Sequence, residues 1–175
     1  MIRLCLMRHA KAEQDEGGGP DRERRLTGRG EHAATAMARW MAEAGWTPDL
    51  ALCSSARRTR QTLAFMLPEL GGKPPQVHYE DALYLAEPEA LLRRIRRVPA
   101  GWSSVLVIGH NPGLHALAVA LLDESSGKPA RRLREAMPTA ALACFELEDG
   151  WAALGREPAR LVHFVTPKDI AHGDG

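Results

Sequence analysis

Three short apolar runs, Ile2 to Met7, Leu50 to Cys53 and Val105 to Ile108, each give way at once to polar or basic residues. Runs of this length, bounded so sharply, read as buried strands. The most reactive part of the chain stands directly after them: Arg8 and His9 after the first, Ser54, Ser55, Arg57 and Arg58 after the second, and Gly109, His110 and Asn111 after the third. In open α/β sheets ligands lie beyond the carboxyl ends of the strands, so the three segments are expected to converge. Two histidines with two or three arginines would then form a pocket for a dianionic phosphate. Guanidiniums bind its oxygens in bidentate fashion, a protonated imidazole neutralises further charge, and the same positive field stabilises a phosphoryl-transfer transition state. An arginine beside an imidazole supplies an anion clamp and a nucleophile in one place.

Helical patterns fill the intervals. Ala33, Ala34, Met37, Trp40, Met41 and Ala44 share one face of a helix expected from Glu31 to Ala44, which Gly45 and Pro48 end. A second helix is expected after Arg58, carrying Leu63, Met66, Leu67 and Leu70, stopped by Gly71-Gly72 and Pro74-Pro75 or earlier by Pro68. Pro88 introduces Leu91, Leu92 and Ile95, and Pro112 introduces Leu114, Leu117, Ala118, Leu121 and Leu122. Thr139 to Leu147 and Leu161 to Val165 read as late strands on either side of the turn Glu148-Asp149-Gly150. The alternation defines an α/β class. At 175 residues the chain suits one domain, 1–175, with Ala171 to Gly175 as a loose tail and Gly17-Gly18-Gly19-Pro20 as a surface loop.

A formal charge of +1, from 23 basic and 22 acidic side chains, provides no global field for nucleic acid or membrane, so anion binding must be local. Cys5, Cys53 and Cys144 lie in apolar runs without metal or disulfide spacing and read as reduced core residues. No leader pattern and no apolar run of about 20 residues is present, and a cytoplasmic protein is expected. His32, His78, His115, His163 and His172 lack ligand spacing, so no metal and no cofactor are expected. Trp40, Trp46, Trp102 and Trp151 are too scattered for a base-stacking platform, and the glycines at 17–19 lack the context of a nucleotide cradle.

Several segments resemble the histidine phosphatase superfamily, and within it the SixA-type phosphohistidine phosphatases. Leu6-Met7-Arg8-His9-Ala10 resembles the Arg-His signature, and Arg24-Arg25-Leu26-Thr27 with Gly30 resembles the Arg-x-Leu-Thr-x-x-Gly segment. Ser54 to Thr62 resembles the Ser-Pro-x-x-Arg-Ala-x-Gln-Thr turn, departing at Ser55 and Thr59 and selecting Arg58 over Arg57. Gly109-His110-Asn111-Pro112, Pro138-Thr139-Ala140 and Val165 to Asp169 resemble further segments, so the likeness spans almost the whole chain. It implies a three-layer phosphoglycerate mutase-like fold, a mixed, mostly parallel sheet with helices on both faces. It also implies a phosphatase in which His9 attacks phosphorus, Arg8, Arg58 and His110 hold the phosphoryl oxygens, and Arg24 closes the pocket, with Arg22 and Arg25 near enough to exchange that role.

His9 must enter neutral, with one ring nitrogen free and the other donating to a fixed acceptor. Longer family members place a general acid on a carboxylate after the second arginine segment, where Glu80 and Asp81 stand here. A phosphohistidine releases imidazole, a better leaving group than an alkoxide, so a weak acid suffices for it. The expected substrate is therefore a phosphohistidine-bearing phosphotransfer protein, with inorganic phosphate as product and a monomeric enzyme. Arg93, Arg94, Arg96 and Arg97, or Arg131, Arg132 and Arg134, could dock it, although basic runs on helices are usually solvated faces. The alternatives are a small-molecule phosphomonoesterase or mutase, and a noncatalytic phosphoprotein-binding module.

Overall fold

The computed structural model describes residues 1–15, 17–124 and 127–171. Six strands, β1 (Ile2–Arg8), β2 (Leu50–Ser54), β3 (Gln76–Glu80), β4 (Ser104–Gly109), β5 (Leu142–Leu147) and β6 (Arg160–Val165), form one sheet in the order β3-β2-β4-β1-β5-β6. The first four strands pair in parallel; β5 runs antiparallel to β1, and β6 antiparallel to β5. The sheet is mixed and mostly parallel, as expected. Its central strands are unbroken apolar runs because both faces are covered. Leu4, Leu6, Leu50, Leu52, Val105 and Val107 enter one core, while Cys5, Met7, Ala51, Cys53, Leu106 and Ile108 enter the other.

Helices α1 (Gly28–Ala44), α2 (Arg57–Met66) and α6 (Pro167–Ala171) stand on the second core's side, and α3 (Pro88–Arg96), α4 (Gly113–Ala120) and α5 (Gly127–Glu135) on the first. Thr27 caps α1 by accepting a bond from the Gly30 amide, and Gly45 ends it in the left-handed conformation at φ +75°. Gly30 has a steric reason to be glycine: a Cβ there would lie 2.1 Å from the Lys11 carbonyl oxygen. At Gly113, where α4 begins, a Cβ would lie 1.9 Å from the Ala86 carbonyl oxygen.

Several expectations need correction. Trp40 is half-buried and Ala44 exposed, so the buried stripe of α1 runs through Gly30, Ala34, Met37, Ala38 and Met41. The strand expected from Thr139 starts only at Leu142, because Ala140 turns the backbone to φ +62°. β3 carried no apolar run because it is an edge strand, and Tyr79 points into solvent. α5 buries only Ala130 and Leu133, too few positions to mark a helix. Ala171 closes α6 rather than opening a tail; the rest of that expected tail, with His172, lies outside the described residues. Among the described residues no helix is long and apolar enough to cross a membrane.

Candidate active site

β1 and β4 are neighbours with Arg8 opposite Gly109, and the His9 amide donates to the Gly109 carbonyl at 3.1 Å. His9 and His110 therefore leave the sheet together, their ring centroids 5.4 Å apart. β2 ends beside them at Ser54, and α2, starting at Arg57, brings Arg58 back over the strand ends. Thr62 fixes that return: its hydroxyl donates to the Arg58 carbonyl at 2.7 Å and accepts from the Ala10 amide at 3.0 Å. The three expected segments thus converge, and Arg58, only 2% exposed, is the arginine that turns inward while Arg57 stays half-exposed.

His9 is buried, with Nδ1 2.7 Å from the Ala10 carbonyl oxygen. A carbonyl only accepts, so Nδ1 carries the proton and Nε2 keeps its lone pair. The expected backbone acceptor exists. Burial pushes the His9 pKa down to about 4; the Ala10 bond opposes this, and the charges of Arg58, Arg8 and Arg24 add to it. His110 Nδ1 lies 3.2 Å from Arg58 Nη2 and Nε2 lies 2.7 Å from Ser54 Oγ. A guanidinium only donates, so Nδ1 accepts and Nε2–H donates to the serine. Burial first, then the charges of Arg58 and His9, push His110 down to about 3. Both imidazoles are therefore neutral in the free pocket, whereas a protonated partner was expected. Both nitrogens of His110 have protein partners, and one of those bonds must give way before the ring can bind a phosphoryl oxygen.

Arg8 donates from Nη1 to the Met137 carbonyl at 3.3 Å, and that carbonyl also accepts from Asn111 Nδ2 at 2.8 Å. Arg8 Nε and Arg58 Nε are buried donors without a partner. A buried unsatisfied N–H is costly, and both belong to guanidiniums whose charges act on the His9 ring. Arg24 donates from Nε to Asp21 Oδ1 at 3.0 Å and from Nη1 to the Glu13 carbonyl at 3.0 Å, and its charge bears on both histidines. Arg25 instead pairs with Glu13, and Arg22 with Asp81 and Ser55; of the three, Arg24 is the one whose charge acts on both histidines.

The two carboxylates considered as acids are committed elsewhere. Glu80 receives Nε and Nη2 of Arg94 at 2.7 and 2.8 Å. Asp81 accepts from the Ser55 hydroxyl and from Arg22, bonds that hold its carboxyl below the usual range. The basic runs are also partly engaged: Arg94 on Glu80, Arg96 on the Leu154 carbonyl and Arg132 on Asp169. His115 meets the Leu133 carbonyl, and His163 packs edge-on against Trp40 and Trp46, both structural roles. Among the described residues no group of three or more His, Cys, Asp or Glu side chains could hold a metal ion.

Sequence reasoning missed Asp21 and Tyr84. Asp21 accepts from Arg58 Nη2 at 2.9 Å through Oδ2, and its backbone carbonyl accepts from Arg58 Nη1 at 2.8 Å. The Tyr84 hydroxyl donates to the same carboxylate, and its ring meets His110 edge-on at 5.4 Å. Burial alone would raise the Asp21 carboxyl, but the bonds from Tyr84, Arg58 and Arg24 outweigh it and hold the group well below the usual carboxylate range. Its one sequence signal was its place three residues before Arg24.

An activated neutral histidine, a second imidazole and three guanidiniums at the carboxyl ends of parallel strands define a phosphoryl-transfer site of the histidine phosphatase class. Residues 4–84 match the family described as Histidine phosphatase superfamily (branch 1). An uncharacterized protein of Mycobacterium tuberculosis is 34% identical over 164 residues, 93% of this chain and 100% of that one. The SixA structure from Nakamurella multipartitia superposes with a TM-score of 0.82 at 35% identity, covering 95% of this chain and 96% of the other. The SixA structure from Agrobacterium tumefaciens gives 0.80 at 31%, covering 95% and 98%. The chain belongs to the histidine phosphatase superfamily and, within it, to the SixA type.

Proposed function

We propose that this protein is a metal-independent phosphohistidine phosphatase acting in the cytoplasm as a monomer on a histidine phosphotransfer protein. The observation that carries the reading is the His9 ring, fixed by Ala10 with Nε2 unprotonated and flanked by two arginines whose Nε donors lack partners. The substrate phosphoryl group bridges those donors. His9 Nε2 attacks phosphorus as the substrate's P–N bond breaks, and the bonding pair leaves on the substrate imidazole, which takes its proton from solvent. Water then attacks the phospho-His9 phosphorus, the P–Nε2 bond breaks, and phosphate departs with His9 again neutral. The guanidiniums of Arg8, Arg24 and Arg58 stabilise the charge that spreads over the equatorial oxygens.

The preference for phosphohistidine over an ester arises from the carboxylates. Asp21, Glu80 and Asp81 are each bonded to an arginine, which leaves none of them as a ready proton donor for an alkoxide. The SixA proteins of Nakamurella multipartitia and Agrobacterium tumefaciens are described as candidate phosphohistidine phosphatases, in keeping with this reading. Three buried, free cysteines suit a reducing compartment.

The test is phosphate release from a phosphohistidine-bearing transfer domain in the presence of EDTA, for wild type and His9→Ala, beside a generic phosphomonoester. Release from the phosphoprotein, lost in the variant, is expected. Faster turnover of the monoester would assign a small-molecule phosphatase, loss of activity in EDTA would overturn the mechanism, and binding without turnover would leave a noncatalytic module.

A further inference from the structure

The Asp21 carboxylate stands where the pocket's own logic would not place an anion. It accepts from Arg58 Nη2 at 2.9 Å and from Arg24 Nε at 3.0 Å, and it takes the Tyr84 hydroxyl besides. These are two of the three guanidiniums that lower the His9 pKa. Their surplus of three positive charges is thereby reduced to two, the charge of a phosphate dianion.

The carboxylate is not needed to hold Arg58 in place. Arg58 Nη1 donates to the Asp21 backbone carbonyl at 2.8 Å, a bond that any residue at this position would provide, and the side chain is enclosed at 2% exposure. What the side chain adds toward Arg58, beyond this backbone bond, is its negative charge; its bonds from Arg24 and Tyr84 can still be accepted by the amide oxygen of an asparagine. Arg58 Nε has no partner while Nη2 is engaged by Asp21, so an entering phosphoryl group and the carboxylate share one guanidinium.

We propose that Asp21 is an internal counter-anion of the phosphate pocket, repelling the bound phosphate across Arg58 and so setting how readily the product leaves. The inference rests on reading the site as a phosphatase's, an enzyme that must shed an anion from a cluster of arginines in every cycle. A unit charge a few ångströms from the phosphate acts strongly at the effective dielectric of a protein, but nearly half of the Asp21 side chain is exposed and solvent screens it. A change of about tenfold in phosphate affinity is the scale expected once that screening is included.

Calorimetric titration of inorganic phosphate into wild type, Asp21→Asn, Asp21→Glu and Arg58→Ala tests this, with product inhibition of turnover measured in parallel. Asp21→Asn is expected to bind phosphate about tenfold more tightly and to be inhibited at correspondingly lower phosphate, while Asp21→Glu, which keeps the charge, stays within about threefold of wild type. A general loss of structure would weaken binding, so tighter binding is a result that damage cannot mimic. Asp21→Ser makes the same charge change if the asparagine variant fails to fold. Unchanged or weaker binding in the neutral variants, with wild-type binding still abolished by Arg58→Ala, would overturn the counter-anion role alone. Absence of any Arg58-dependent phosphate binding in wild type would overturn the reading of the pocket and the proposal with it.

Discussion

Acidification should destabilise this protein through two particular side chains. His9 and His110 are buried and neutral, with pKa values pushed down to about 4 and about 3, against about 6.5 for an unfolded histidine. Because the folded values are depressed, the unfolded chain binds more protons between the two limits, so stability is complete above pH 6.5 and falls as the pH drops toward 4 and then 3. At pH 5 nearly every unfolded histidine is protonated while the native pair is not, which costs about 2 kcal/mol for each ring and about 4 kcal/mol for both. That is a large part of the 5–15 kcal/mol typical of a domain. Urea unfolding followed by tryptophan fluorescence in phosphate-free buffer at pH 7.5, 6 and 5 reads it directly. His9→Ala and His110→Ala should each lose about 2 kcal/mol less than wild type over that interval, whatever their absolute stability. Identical losses in all three proteins would refute the assignment of buried neutral rings.

Ser54→Ala removes the protein acceptor that competes with a phosphoryl oxygen for His110 Nε2–H and should tighten inorganic phosphate binding by about fivefold without changing the fold's circular dichroism, because a neutral hydrogen bond is worth on the order of 1 kcal/mol; unchanged or weaker phosphate binding would refute the use of Nε2–H as the phosphate donor. Glu80→Gln and Asp81→Asn should leave phosphohistidine turnover within about threefold of wild type, and a fall of about a hundredfold in either would identify it as a catalytic acid. Gly30→Ala forces a Cβ to within 2.1 Å of a backbone oxygen and should destabilise by about 2 kcal/mol or more in thermal or denaturant unfolding.

The parts of the site legible in the sequence were those attached to buried strands. Arg8, His9 and His110 come directly after apolar runs, so the sheet rule located them, and the family likeness then chose Arg58 from two adjacent arginines. Asp21 and Tyr84 belong to short irregular segments whose positions depend on tertiary contacts, and no local period marks such residues. The charge states were hidden for a related reason. A protonated imidazole was expected as a ligand for phosphate, but burial, with the neighbouring arginine charges acting in the same direction, keeps the His110 ring neutral. The fold divided in the same way: the central strands were plain as apolar runs, while the edge strand β3 and the basic helix α5 bury too little to announce themselves.

The turn at residues 138–141 ties the two halves of the molecule together. The Ala140 amide donates to the carbonyls of both Arg8 and His9, at 3.1 and 3.0 Å, immediately before the chain enters β5. The nucleophile's backbone is thus gripped by β4 on one side and by the entrance to the antiparallel pair on the other. A chain that has assembled only its four parallel strands has all of its catalytic side chains but only the β4 side of this grip. Appearance of activity during refolding should therefore report the docking of β5 and β6, and catalysis should arrive with the last strands rather than with the first.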